Sequence, residues 1–500
     1  MGLRRLMATL RSIEKGGEKM KQVKIFVICF LVLFLALGIM TPILWAAEEY
    51  KVTAQDLEQY KKIVDDPRPY LKELTYKKIL PPDVYAKLTF DVEEMKVQWA
   101  EVVGFRAPDE VGKIAPEIKP GTYSYKDKAK YPGLKELMIP LHYEEFFKPG
   151  GPPFVGCFPE IKVVPTRQYY LALPIAKATK ENIGRTKLDD KGLIKEETYM
   201  AGVPFPKPEG KFKANQVIYN LLKRYIGHEN QYFTATTRGF TRNLRIDQDM
   251  VNEACWIRFK GRVFMEPYGW YDERAKSVGE EFSFKFFYLS PRDMFGNVMT
   301  SMKYLDPDKY DQMLLYISAL RRVRLMSATD IQDSIGGADV IYADSFIYSQ
   351  KLSSTIFPYR CEVIAEREYL VPFAILDGSG YMSSKGMELH DYEWERRPMY
   401  VVKMTQLDKN FVYSYRILYI DKETFYPLLI LNYDQKGRLY RSGLVISAYF
   451  PEMGMFNYTS DVMMYDHLDM HSSFSRTFVI PAPWVGRKDI NMRGLVVKGK

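Results

Sequence analysis

The stretch YSYRILYIDKETFYPLLILNYDQKGRLYR, Tyr413 to Arg441, decides the fold class. Two polar turns, IDKETF and YDQKGR, separate apolar runs rich in Ile, Leu, Tyr and Phe, which is the pattern of a β-hairpin. Asp434–Gly437 suits a type I turn closed by a left-handed glycine and a bulge. With Asp421–Thr424 as the first loop, Ile420 is expected opposite Phe425, Tyr419 opposite Tyr426, Ile417 opposite Leu428 and Tyr415 opposite Ile430. That register gathers Tyr415, Ile417, Tyr419, Leu428 and Ile430 on one wholly apolar face. Ser414, Arg416, Leu418 and Leu431 fall on the other, and a slip of one residue would exchange the faces. The apolar face requires cover by a helix, another sheet or a lipid-like ligand.

The same character extends on both sides of the hairpin. Strand candidates follow one another after about residue 230: QYFTATT, ACWIRFKGRVFME, EFSFKFFYL, MLLYISALRRVRLM, YRCEVIAEREYLVPF, MYVVKMTQL, then LVISAYFPEM and FSRTFVI. Hairpin-like connections and few helices favour an antiparallel sheet. Aromatic residues make up 14% of the 500 residues, which also leans towards β-structure. At 47% hydrophobic, the chain can bury a large core.

The N-terminal part reads differently. Ile25–Leu44, IFVICFLVLFLALGIMTPIL, is an apolar run preceded by Lys21 and Lys24. It is read as a signal peptide cut near Ala47, with an uncleaved N-terminal anchor as the alternative, since the run is long enough to span a bilayer. Cys29 lacks the small-residue context of a lipoprotein cleavage site. GGEK directly before Met20 places the expected start of translation at Met20. VTAQDLEQYKKIVDDP reads as a helix capped by Thr53, with Leu57, Tyr60 and Val64 in one stripe. PPDVYAKLTFDVEEMKVQWAEVVGF gives further helical turns. TRQYYLALPIAKATKENIG is expected to be helical but interrupted at Pro174. AGVPFPKPEG cannot join a central strand, and Val217, Leu221, Leu222 and Tyr225 form the stripe of a helix ending near Gly227. The expected organisation is a leader or anchor (1–47), a helical region (48–135), a Pro-rich irregular connector (136–209), a β-sheet domain (210–480) and a tail (481–500).

Charge and motifs exclude several function classes. Of the formal charge of +9, Met1–Ala47 supplies +5, from seven Lys/Arg and two Glu. The remainder is too diffuse for a nucleic-acid face. There is no H-E-x-x-H, C-x-x-C, G-x-S-x-G or P-loop, and no catalytic residue, metal site or cofactor is assigned. DGSGY around Ser379 reads as a turn. His467 and His471 have ligand-like spacing, but no third ligand accompanies them, and a solvated strand end is the preferred reading. Cys157, Cys255 and Cys361 do not make a disulfide framework; buried thiols are preferred to a single bridge with a spare. ALRRVRL places Arg321, Arg322 and Arg324 in one strand, with Arg322 and Arg324 on the same side. Their planar forks suit a phosphate or carboxylate at a lipid headgroup, or an acidic partner; a solvated face is the plain alternative.

AGVPFPKPEG followed by NLLKRYIG resembles a signature of the exported proteins called outer membrane lipoprotein-sorting proteins, a family of unknown function related to the LolA/LolB carriers. MLLYISALRRVRLM, YADSFIY, YRCEVIAEREYLVPF and LYIDKETFYPLLILNYDQKGRL are similar to further segments of that family, in one order from about Pro140 to Tyr465. Ser318 stands where the family often has Pro. The resemblance implies a mainly β (α+β) fold: a large curved antiparallel sheet, an unclosed barrel of LolA/LolB type, with covering helices. It implies a periplasmic, non-enzymatic carrier or accessory protein of a Gram-negative envelope, binding a lipid, a lipoprotein acyl chain or another hydrophobic molecule. An envelope transporter or an outer-membrane protein is the implied partner, with transient membrane contact unless the leader stays as an anchor. The expected apolar lining is Tyr415, Ile417, Tyr419, Leu428 and Ile430, and the expected polar rim is Arg322 and Arg324. A docking module whose face is filled by its own helices is the alternative, and an envelope hydrolase the weaker one.

Overall fold

A computed structural model describes residues 62, 66, 75–326, 331–344, 350–376, 380–383 and 388–492. The apolar run Ile25–Leu44, the cleavage point near Ala47, the Met20 start, the helix expected after Thr53, and Ser379 lie outside these residues. Among the described residues, no helix is long and apolar enough to cross a membrane.

The chain forms a sixteen-stranded sheet. Three members are short, Gly121–Ser124, Glu160–Val163 and Ala374–Ile375. The others are β1 (Asn230–Phe240), β2 (Ile246–Arg258), β3 (Glu280–Ser290), β4 (Val298–Tyr304), β5 (Gln312–Ile317), β6 (Arg322–Leu325) and β7 (Tyr359–Val371). They continue with β8 (Glu393–Gln406), β9 (Tyr415–Asp421), β10 (Pro427–Tyr433), β11 (Leu439–Phe450), β12 (Met455–Asp466) and β13 (His471–Pro481). Their order across the sheet is β7-β8-β9-β10-β11-β12-β13-β1-β2-β3-β4-β5-β6, every neighbouring pair is antiparallel, and the two edges do not pair with each other. The fold is therefore mainly β, a large antiparallel sheet not closed into a barrel. β6 and β7 are consecutive in sequence yet stand at opposite edges. The segment between them has to cross the sheet.

The opening hairpin exists as β9–β10, but its register differs from the expected one. Tyr415 faces Tyr433, Ile417 faces Leu431, Leu418 faces Ile430 and Tyr419 faces Leu429. The cause is the loop. Phe425 takes a left-handed conformation (φ 60°), and Asp421 Oδ1 accepts from the Thr424 amide and hydroxyl, so the turn uses more residues than Asp421–Thr424. An odd slip exchanges the faces of one strand. Tyr415, Ile417 and Tyr419 thus lie on one face of the sheet, Leu428 and Ile430 on the other. At the second turn Asp434 behaves as expected. Gly437 has φ 77°, and Asp434 Oδ1 accepts from the amides of Lys436 and Arg438, both at 2.9 Å.

Both faces are covered. On the face bearing Tyr419, helix α1 (Val92–Val103) docks through Trp99, whose Nε1 donates to the Glu423 carbonyl at 2.8 Å. Asp91 caps its start by accepting from Glu94, and Gly104 ends it at φ 91°. α2 (Leu173–Asn182) carries Pro174 in its first turn instead of being broken by it, because proline's missing N–H is harmless there. The connector wraps the same face. Phe146 and Phe154 pack on Tyr465, and Gly156 lies against Met463. Buried Arg397 ties this side together, with Nε 2.9 Å from Asp421 Oδ2 and Nη2 2.8 Å from Glu423 Oε2. On the opposite face α3 (Lys213–Lys223) lies over β7 and β8, where Lys213 pairs with Glu366 at 2.5 Å. It ends before Gly227, the expected stop. The described residues pack as one compact unit.

Candidate hydrophobic ligand site

One face of the sheet can be followed from strand to strand through directly opposed residues: Leu418, Ile430, Gly443, Met464, Ser473, Gly239 and Gln248. It continues through Ala254, Phe286, Met299, Leu315 and Arg324. The crossing segment lies on this face. Its described parts are 331–344 and 350–358, and they form a cover over the middle of the sheet.

The cover is held by polar anchors. Asp344 Oδ1 accepts from Arg416 Nη1 at 2.5 Å and Oδ2 from the Tyr413 hydroxyl at 2.9 Å. Asp339 Oδ2 accepts from the Ser473 hydroxyl at 2.7 Å and meets His471 Nδ1 at 2.7 Å. His471 Nε2 lies 3.1 Å from Asp247 Oδ2, and these hydrogen bonds, against some loss from burial, raise the imidazole pKa to about 9. Lys351 donates to the carbonyls of Tyr304, Asp306 and Lys309 and pairs with Asp311 at 2.8 Å. The Gly336–Gly337 pair (φ 60° and 84°) lets the cover settle where a Cβ would strike Met250 Sδ or Gln248 Nε2.

Among the described residues, two cavities with largely apolar walls lie beneath it. The larger, about 140 Å³, lies between Ile335, Ala338 and Val340 of the cover and the sheet. One wall is apolar, made by Met250, Phe284, Phe286, Tyr288 and Met299. The other carries hydroxyls, from Thr237, Ser473, Ser475 and Thr477. The smaller, about 70 Å³, lies towards β4 and β5, lined by Phe282, Phe284, Met313, Met326, Ile331, Tyr342 and Phe357, with a polar end of Lys303, Asp311, Gln350 and Lys351. Phe284 lines both.

None of the five residues expected to form the lining borders either cavity. Leu428 and Ile430 share the cavity face but are fully buried among the chain's own side chains; Ile430 and Met464 close over Gly443, where any Cβ would meet both. Tyr419 is packed edge-on against Tyr369, and Tyr415 stacks on Tyr433 with centroids 4.3 Å apart, both on the other face. The hairpin is therefore interior, and the hollow lies further along the sheet, towards β1–β4. Arg322 and Arg324 do share a side, on exposed edge strand β6 opposite Ile317 and Leu315, which places them on the cavity face at its open edge. Arg321 is not in the strand; it occupies the preceding turn with φ 52°.

The remaining candidates take structural places. His467 meets the Ser442 hydroxyl at 2.9 Å, and burial lowers its pKa to about 4. His471 serves the cover, so neither histidine is a solvated strand end. Among the described residues no group of three or more His, Cys, Asp or Glu could hold a metal. Cys157, Cys255 and Cys361 are unpaired, the first two buried and the third half-buried. The sequence signal that could have located the cavity is the change of composition along the crossing segment, where SIGGAD has the glycines and small residues of a close approach.

The family described as protein of unknown function (DUF1329) matches residues 143–480. Comparison with curated proteins finds no match. Among solved structures, a domain named for outer membrane lipoprotein sorting, from Vibrio parahaemolyticus, is similar at 15% identity and TM-score 0.40, over 56% of this chain and 97% of that one. A DUF1329 family protein from Desulfovibrio piger has 14% identity and TM-score 0.38, over 54% and 92%. A LolA superfamily protein from Nitrosomonas europaea has 11% identity and TM-score 0.35, over 56% and 98%.

Proposed function

The chain belongs to the DUF1329 family of proteins of unknown function, and we propose that it is a non-enzymatic carrier or accessory protein of the cell envelope. Its cargo is a lipid, a lipoprotein acyl chain or another hydrophobic molecule. The observation that carries this reading is the pair of apolar cavities kept open between the sheet and its own crossing segment. An interior normally packs without such voids, and burying a methylene from water is worth about 0.8 kcal/mol. Each hollow alone suits a small apolar group; a longer chain uses both and passes Phe284. Arg322 and Arg324 stand at the open edge, where they would meet an anionic headgroup or an acidic envelope partner, such as a transporter or an outer-membrane protein.

Native mass spectrometry on protein gently purified from its own envelope tests the reading. Lipid is expected to co-purify with the wild type and to be absent from Ala338→Trp, which fills the larger cavity, at an unchanged melting temperature. Wild-type protein that emerges empty would sink it. One observation favours the docking-module alternative. The hairpin faces are filled by α3, the connector and neighbouring side chains, so that end of the sheet has no room for a guest.

A further inference from the structure

Gln350, at the polar end of the smaller cavity, carries an unmatched hydrogen-bond donor. The Asp408 amide donates to Gln406 Oε1 at 3.0 Å, which fixes the Gln406 amide with its nitrogen outward. Gln406 is in turn a side-chain hydrogen-bond partner of Tyr359, whose hydroxyl burial keeps protonated. The Tyr359 hydroxyl then donates to Gln350 Oε1 at 2.7 Å. This relay leaves Gln350 Nε2 as the terminal donor. It is buried, it has no hydrogen-bond partner among the described residues, and the residue is 6% exposed. A buried N–H left unmatched keeps its full desolvation cost, so its retention beside a cavity needs an acceptor to explain it.

Positive charge lies at the same end. Lys303 also lines this cavity. Its Nζ is 3.8 Å from Glu281, and Glu281 is held more closely by Lys223, at 2.8 Å. Burial disfavours the ammonium of Lys303, opposed by Glu281 and by Asp311, which lines the same cavity and pairs with Lys351 at 2.8 Å. The polar end thus carries the ammonium groups of Lys303 and Lys351 against the one lining carboxylate of Asp311. Away from this end the wall includes Phe282, Phe284, Met313 and Met326.

We propose that the smaller cavity receives the oxyanion end of an amphiphile, a carboxylate or phosphate closing an apolar chain, with Gln350 Nε2 donating to it and Lys303 supplying the countercharge. This assignment rests on the hydrophobic-carrier reading and adds the chemical class of the cargo.

Isothermal calorimetry on the full chain, stripped of co-purified lipid, compares decanoate, decyl phosphate and decanol. At least one anion is expected to bind ten times more tightly than decanol, and whichever anion is preferred tells carboxylate from phosphate. Gln350→Leu, nearly the same size, is expected to lower anion affinity about tenfold and leave decanol unchanged; Gln350→Glu is expected to lower it further. Equal affinity of wild type for the anions and decanol overturns the assignment while the carrier reading stands. So does a Gln350→Leu variant that loses all three ligands alike with its melting temperature retained. Failure of all three ligands to bind the wild type removes both. The wild-type comparison needs no variant, so a misfolded substitution does not blur the result.

Discussion

Asp344 concentrates the anchorage of the cover in one carboxylate, which takes both the Arg416 guanidinium and the Tyr413 hydroxyl. All three groups are buried. Breaking a buried pair by neutralising one member typically costs about 3–5 kcal/mol, because the other charge stays in the interior. Asp344→Asn is expected to lose about 3 kcal/mol in urea unfolding, and faster proteolysis within 331–357 should accompany it. His471 supplies the second anchor and gives it a pH dependence. Its pKa is raised from 6.5 to about 9 by Asp339 and Asp247, against burial. A raised value means that the folded state holds the proton more tightly. The contribution is complete below pH 6.5 and is lost as pH rises through about 9. Wild type is therefore expected to lose stability relative to His471→Gln across that interval. Parallel stability curves for the two proteins would remove the role assigned to this histidine.

The hairpin shows which elements can be read from sequence and which cannot. Its strands and its second turn are legible, because apolar runs bounded by polar turn residues have few other solutions. Its register is not legible, since one left-handed residue, Phe425, alters the loop and transfers Leu428 and Ile430 to the face opposite Tyr419. β4 (VMTSMKY) and β12 (MFNYTSDVMMYD) escape detection for a different reason. Their inward positions include Ser301, Lys303 and Asp461, whose burial depends on cross-strand and cover partners absent from local patterning. The cover itself has no regular periodicity to read. Its glycine pair nevertheless yields an expectation. Gly337→Ala puts a Cβ 2.3 Å from Gln248 Nε2 at a left-handed φ of 84°. It is expected to cost about 1–3 kcal/mol, measured by thermal unfolding. On the edge strand the outcome is the reverse. Arg322→Glu with Arg324→Glu should leave stability within about 0.5 kcal/mol, as exposed substitutions do, while reducing sedimentation with anionic vesicles if the rim meets headgroups. Unchanged sedimentation would leave these arginines as plain solvated surface.

At the scale of the molecule, the sheet opens in its middle and finishes there. β1 is the first of the long strands in sequence, yet its second neighbour is β13, the last, with Gln231 opposite Pro481. A chain ending at Met470 would lack β13 and expose the inner edges of β1 and β12. It is expected to be insoluble or protease-sensitive throughout, because an unpaired central edge is a ready template for aggregation. Limited proteolysis checks this directly, and a soluble, resistant fragment would show that the halves stand alone. The general shape, mainly β with a Pro-rich wrap, could be anticipated from composition; this closure could not, since it depends on contacts far apart in sequence. It also sets an order of events during synthesis. β1–β6 and β7–β12 can each begin to pair as they emerge, but neither row can be sealed until the final strand is made. Such distant pairing slows folding. The half-built rows meanwhile carry unpaired inner edges, so the interval before β13 emerges is when the chain is most open to aggregation.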